Sequence, residues 1–276
     1  MPTPTEQQKI VHAYYAKIQE VKHLQQQADI FKEEIESYFY NTLSITQEAK
    51  RTSSKTLSLI EFTDVCRWGV EFNLGSVSDN ILKSSKYKNQ RLGEVVEINP
   101  ITKLPKEDIE ISFIPMECIS DEYGEVTELR EKKVSLSKGY TKFQEGDLIW
   151  ARITPCMQNG KSAIAKYLKN EFGCGSTEFH VIRNSNEEID LNYIYHILRL
   201  EPVLFNAMSH FTGSAGQQRV PQSFLEDLLI PVPPISVQNE ISAKMGKLKA
   251  SIKDLENRSI SIKNQAEIEF EKRIFG

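Results

Sequence analysis

"ISAKMGKLKASIKDLENRSISIKNQA", residues 241–266, is the stretch on which the fold turns. Ile241, Met245, Leu248, Ile252, Leu255, Ser259, Ile262 and Ala266 step 4-3-4-3-4-3-4. That is a heptad seam. Its stripe is narrower than the buried face of an ordinary globular helix, so it calls for another long helix as partner. A matching run opens the chain. In residues 2–43, Val11, Tyr14, Ile18, Val21, Leu24, Ala28, Phe31, Ile35 and Tyr38 step 3-4-3-3-4-3-4-3, a heptad with one three-residue stammer between Val21 and Leu24. Both runs begin on Pro-x-Pro, carry an early Gln (Gln8, Gln238) and a β-branched residue three later (Val11, Ile241), and match again at Glu36, Phe39 and Glu267, Phe270. They read as an internal repeat set about 230 residues apart. Each spans about 60 Å as a helix, and the prolines stand at helix starts, where a missing N–H is harmless.

The text between the two runs has a different period. "VVEI" (95–98), "ISFIPM" (111–116), "DLIWARI" (147–153) and "FHVIR" (179–183) are short β-rich pieces separated by Gly, Pro, Asn and Asp. Residues 190–209 read as one helix, with Ile194, Ile197, Leu198 and Phe205 toward a core. The fold class is therefore α+β: one globular α/β domain flanked by two long helices. The expected boundaries are helix 1–44, polar linker 45–59, domain 60–233 and helix 234–276.

The chain has 276 residues, 39 % hydrophobic and 26 % charged, ordinary for a soluble globular protein. No run is long and apolar enough for a membrane span, and "MPTPTEQQKI" lacks the pattern of a signal peptide. Cys66, Cys118, Cys156 and Cys174 are scattered without a partner histidine cluster, so neither a zinc site nor a disulfide framework is expected, and a reducing cytoplasm is the plain location. The net charge of −4 does not announce a nucleic-acid binder. It conceals an asymmetry: residues 130–169 hold nine Lys or Arg against three Asp or Glu.

"TPCMQNGKSAIA" (154–165) contains Gly160-Lys161-Ser162, the tail of a phosphate-binding loop. The motif needs a glycine five residues before Gly160, and Pro155 stands there. Proline has no N–H and a fixed φ, so it removes a donor where donors are the point. Asn159-Gly160 is also a strong hairpin signal.

The middle block resembles a target recognition domain of the specificity subunit of type I restriction–modification systems. The residues that carry the resemblance are "RLGEVVEINP" (91–100), "FIPMECIS" (113–120), "GDLIWARITPCMQNGKSAIA" (146–165), "GCGSTEFHVIR" (173–183), "GSAGQQRVP" (213–221) and "LLIPVPPISVQNEI" (228–241), in the family's order. The flanking helices resemble that family's two spacer regions. The resemblance implies two helices paired as an antiparallel coiled coil, within one chain or between two copies in a homodimer. It implies a subunit that reads double-stranded DNA and does no chemistry. It also implies partners: DNA adenine methyltransferase subunits, which hold S-adenosylmethionine, and restriction subunits. This chain itself would need no cofactor. A full-length subunit of the family alternates two recognition domains with two helices, whereas this chain shows one domain, the half-subunit form.

The candidate DNA-contacting residues fall in three segments. Arg152, Thr154, Gln158, Asn159 and Lys161 form a donor-rich loop after the "DLIWARI" strand, suited to phosphates with one group left to read a base. Ser176 and Thr177 enter the next strand and can bond phosphate or their own backbone. Ser214, Gln217, Gln218 and Arg219 lie in a small-residue loop, where Gln pairs with adenine and Arg with guanine. Trp150 is expected in the core rather than under a base. Glu178 and His180 have no nucleophile at a recognisable spacing, so no catalytic residue is assigned, and the histidines form no metal pattern. Two other classes stay open: a coiled-coil scaffold without base readout, and a nucleotide-dependent enzyme using loop 158–162.

Overall fold

The computed structural model describes residues 2–45, 81–214 and 217–275. The linker beyond Ile45 and the expected start of the domain at residue 60 lie outside the described residues. In chain order the elements are α1 (Pro4–Leu43), β1 (Lys88–Arg91), α2 (Leu92–Val95), β2 (Glu97–Ile98), β3 (Glu110–Ile114), β4 (Arg130–Lys133), β5 (Thr141–Gln144), β6 (Leu148–Ala151), β7 (Ser162–Ile164), β8 (Phe172–Gly175), β9 (Phe179–Arg183), α3 (Leu191–Ile197), α4 (Glu201–Ser209), α5 (Gln222–Asp227), β10 (Leu229–Val232) and α6 (Ile235–Phe275). They divide into two compact units, Met1–Phe39 with Ala243–Gly276, and Tyr40–Ser242. The fold class is α+β, as the sequence indicates. No described helix is long and apolar enough to cross a membrane.

The first unit is the helix pair. Thr3 and Glu6 close a capping box at the start of α1: the Thr3 N–H donates to Glu6 Oε2 at 2.8 Å. Ion pairs Lys17–Glu269 (2.9 Å), Lys32–Glu256 (2.8 Å) and Glu34–Lys244 (2.7 Å) run in opposite chain directions, so the helices pair antiparallel within one chain. Leu24, Ala28, Ile252 and Leu255 bury the seam, with Phe31, Ile35 and Ile262 half-buried against it. In α6 the heptad holds from Met245 to Ala266. In α1 it shifts at both ends. Ile10 is buried while Val11 is 38 % exposed, and Phe39 is fully buried in place of Tyr38. A 3.5-residue repeat drifts against a 3.6-residue helix, and the stammer adds to the offset, so the face moves by one residue away from the centre.

In the second unit, two four-stranded sheets face each other, β2-β9-β6-β7 and β4-β3-β8-β5. Ile149, Ala163, Phe179 and Val181 of the first sheet meet Ile114 and Phe143 of the second in one buried core. Gly173 of β8 lies so close to the Phe143 ring that no Cβ fits there. The opposite face of β6 and β9 is also covered. Trp150 is fully buried, stacks on His180 at 6.2 Å between ring centroids, and donates from Nε1 to the Leu198 carbonyl. Trp150 is thus a core residue. In the sequence Phe179 and Val181 alternate with Glu178 and His180, as in a half-buried strand, yet His180 is buried along with Phe179, Val181 and Ile182. A strand between a sheet and a helix layer has no solvent face.

The helix expected over 190–209 is two helices. Leu198 to Leu200 break it, and Pro202 sits in the first turn of α4, where proline is welcome. The break resets the helical phase. Ile194, Ile197 and Leu198 remain fully buried, while Phe205 is 47 % exposed. A two-stranded pair, β1 with β10, completes the unit. Gln238 is buried, and its side chain bonds the Glu188 carbonyl, the Pro233 carbonyl and the Asp190 N–H at 2.8–2.9 Å. Gln8, its counterpart in the sequence repeat, is exposed.

Candidate functional site

The three segments singled out in the sequence converge at the end of the β6–β9 pair. The Arg152 N–H donates to the Glu178 carbonyl at 2.9 Å, and the Val220 N–H donates to the Arg152 carbonyl at 2.8 Å. The Thr154 N–H donates to the Gln218 carbonyl at 3.0 Å. Ile153 bridges Arg219, which also bridges Thr212. Backbone bonds therefore place Arg152, Thr154, Gln218 and Arg219 in one array, with the Ser176–Glu178 turn beside it. A site on rigid backbone holds its side chains more closely than one on free loops.

The side chains differ in what engages them. Arg219 grips Glu178 with a two-point fork, Nε to Oε2 at 2.9 Å and Nη2 to Oε1 at 2.7 Å, and its Nη1 donates to the Gln217 carbonyl at 2.9 Å. The fork holds the Glu178 carboxyl below its usual range and raises Arg219 above its own. Arg152 Nε lies 4.0 Å from Glu178 Oε2. Among the described residues, the buried atoms Arg152 Nε and Thr154 Oγ1 have no hydrogen-bond partner. Buried polar atoms left this way call for an explanation, and a ligand is one. Ser176 bonds its own backbone: its hydroxyl accepts from the Glu178 N–H at 3.2 Å. Thr177, Ser214 and Gln217 are exposed, and Gln218 is half-buried.

Loop 154–161 answers the phosphate-loop question. The Met157, Asn159, Gly160 and Lys161 N–H groups donate to the carbonyls of Ile153, Pro155, Met157 and Cys156 at 2.8–3.1 Å. Donors turned inward form no phosphate cradle. Met157 is fully buried and anchors the loop. Gly160 takes φ +70, which its lack of a Cβ permits. Gln158 and Asn159 are exposed, and Gln158 Nε2 reaches Met208 Sδ at 3.3 Å. Lys161 is half-buried, its Nζ 3.4 Å from the Met116 carbonyl. The structure thus joins Arg152 and Thr154 to the Gln218–Arg219 segment. It directs Lys161 elsewhere.

Two positions shape the site without having drawn attention in the sequence. Arg199 is the first. Its guanidinium bonds the carbonyls of Gly160, Asp121 and Glu122, tying loop 154–161 to the 121–122 turn. Burial pushes this guanidinium below its ordinary pKa. A lone Arg in the apolar run "ILRLEPVLF" was the available signal. Asn99 is the second. With φ +53, it sets its Nδ2 3.0 Å from His180 Nδ1 and 2.8 Å from Gln222 Oε1, while its Oδ1 accepts the Val181 N–H at 3.0 Å.

His180 explains itself within this network. Its Nε2 lies 2.9 Å from the Val220 carbonyl, so Nε2 carries the proton and Nδ1 accepts from Asn99. Burial lowers its pKa from 6.5 to about 4. Between those values the unfolded chain binds a proton that the folded chain does not. Stability should therefore fall as pH falls through that window, by about 2 kcal/mol between pH 7 and 5, and level off below about pH 4. An NMR titration checks the cause directly: the His180 ring should stay neutral at pH 5, and a midpoint near 6.5 would refute the assignment.

The chain belongs to the family described as the Type I restriction modification DNA specificity domain, which matches residues 84–264. It is similar to the Type I restriction enzyme EcoEI specificity subunit of Escherichia coli, at 41 % identity over 171 residues, and to the EcoAI specificity subunit of Escherichia coli, at 40 % over 171 residues. Each match covers 62 % of this chain and 29 % of the relative, so it spans under a third of the relative's length. A chain from a structure of the type I R-M system, solved to explain its complex assembly and conformational transition, shares the fold with a TM-score of 0.55. It is 14 % identical, and the alignment covers 99 % of this chain and 60 % of that chain.

Proposed function

We propose that this chain reads one half of a split DNA target for a restriction–modification complex. The observation that carries the proposal is the convergence of three distant segments, in a DNA specificity domain, on one backbone-laced array. Within it, among the described residues, Arg152 and Thr154 each keep a buried polar atom without a hydrogen-bond partner. The array enters the major groove. Gln217, Gln218 and Arg152 meet base edges or phosphates there, and Gln158, Asn159, Thr177 and Ser214 flank it. The chain performs no chemistry. Its helices dock methyltransferase subunits, which bring S-adenosylmethionine, and restriction subunits join the same cytoplasmic assembly. A net acidic reader fits this division, because the partner supplies much of the phosphate neutralisation. Binding by the chain alone is accordingly weak.

The test is to combine the chain with the methyltransferase encoded beside it, supply labelled S-adenosylmethionine, and map methylation across a random DNA pool. Methylation at a defined motif, absent without this chain, is the expected result. A palindromic two-part motif would indicate two copies per complex. An intact, active complex whose methylation ignores this chain would leave only the scaffold reading.

A further inference from the structure

Two guanidiniums, Arg152 and Arg219, face one carboxylate, that of Glu178. A carboxylate has two oxygens and binds one arginine fork fully. Here Arg219 takes both oxygens, and Arg152 stands off at 4.0 Å. Arg219 has a third bond, to the Gln217 carbonyl two residues back. The two guanidiniums and one carboxylate sum to one positive unit, and the guanidinium that makes no fork to the carboxylate is that of Arg152.

We propose that Glu178 is a specificity-determining positioning residue, which withholds Arg219 from DNA and leaves Arg152 as the cation of this array that meets the nucleic acid. The inference rests on the DNA-reading function proposed above. Its physical basis is a difference between affinity and discrimination. Any free arginine strengthens binding to every sequence, because phosphates are everywhere. Discrimination needs a donor held in one geometry. Arg152 has that geometry, because its own N–H and carbonyl are both fixed, to Glu178 and Val220. Arg219 has its own N–H and carbonyl fixed to Thr212, so it is the fork to Glu178 that keeps its guanidinium from phosphates. Tied to Glu178, it shapes the loop that presents Gln217 and Gln218. Glu178 thus lowers affinity for random DNA and raises selectivity.

The experiment uses the full chain assembled with its methyltransferase and measures binding to target and non-target duplexes across a salt series. Glu178→Gln keeps the size and removes the charge. Its expected effect is tighter binding to non-target DNA, a slope of log K against log salt steeper by about 0.9, equivalent to one more neutralised phosphate, and discrimination reduced about tenfold or more. Adding Arg219→Gln to Glu178→Gln should return the slope to that of the unmutated complex, since the freed guanidinium is then gone. Arg152→Ala should make the slope shallower. A merely structural Glu178 would lower the unfolding midpoint of Glu178→Gln and leave its salt slope alone, which would overturn the inference. So would a slope that stays steep in the double variant, since the added phosphate contact would then not be that of Arg219. Failure of the underlying function looks different: the unmutated complex itself would show no target preference, and both proposals would fall.

Discussion

Replacing Asp147 by alanine is expected to destabilise the recognition domain by about 3–5 kcal/mol, the range for removing one partner of a buried ion pair. Asp147 immediately precedes β6 and accepts two bonds from Arg183 at the end of β9, at 2.8 and 2.6 Å. Its side chain is 2 % exposed and that of Arg183 is 16 % exposed. The same carboxylate accepts the Gln144 N–H, and the same guanidinium donates to Thr102 Oγ1 at 2.8 Å, so the pair joins both four-stranded sheets. Alanine would leave a buried cation without a counter-charge. A domain of ordinary stability holds about 5–15 kcal/mol in total, so this one change would remove much of its margin. Urea unfolding with an unchanged m value is the measurement. The double variant Asp147→Leu with Arg183→Met should recover part of the loss, since no unpaired charge remains. A cost under about 1 kcal/mol for Asp147→Ala would show that solvent or a neighbour compensates Arg183.

Arg199→Met should cost about 3 kcal/mol or more, and the damage should spread to loop 154–161. Methionine keeps the bulk and removes the donors. The carbonyls of Gly160, Asp121 and Glu122 then lose a partner, each at about 1–3 kcal/mol where no water replaces it. Two chain segments distant in sequence meet at this one guanidinium. Hydrogen exchange at the Met157 to Lys161 amides should accelerate, and methylation by the assembled complex should lose sequence preference. Arg199→Lys should not restore either, because a point charge cannot span acceptors placed for a planar fork. Full rescue by lysine would mean that the positive charge, and not the fork, holds the loop.

Much of the fold was legible in the sequence where local period decides structure. The α6 seam and its need for a long partner helix followed from heptad spacing, whereas the antiparallel arrangement came only from the family resemblance and its closure within one chain from the structure. The break between α3 and α4 was also written there, in Pro202, but an unbroken apolar run concealed it. The period of β9 misled for another reason. Alternation describes a strand with one wet face, and β9 has none. The candidate site was legible as segments and not as a site. Nothing local to "ARITP", "STEFH" or "GQQRV" says that the three are laced together, or that Lys161 turns to the Met116 carbonyl.

By itself the sequence determined the two seam-bearing helices, the strand-rich middle, the segments rich in donors and the failure of the phosphate loop at Pro155. These depend on spacing of a few residues, or on what one residue type cannot do. Only the tertiary structure decided which arginine Glu178 holds. Glu178 and Arg219 are 41 positions apart, and Arg152 competes for the same two oxygens. That competition is settled by distances of an ångström, which are set by sheet packing and by the backbone bonds that fix Arg152, and no pattern along the chain encodes them.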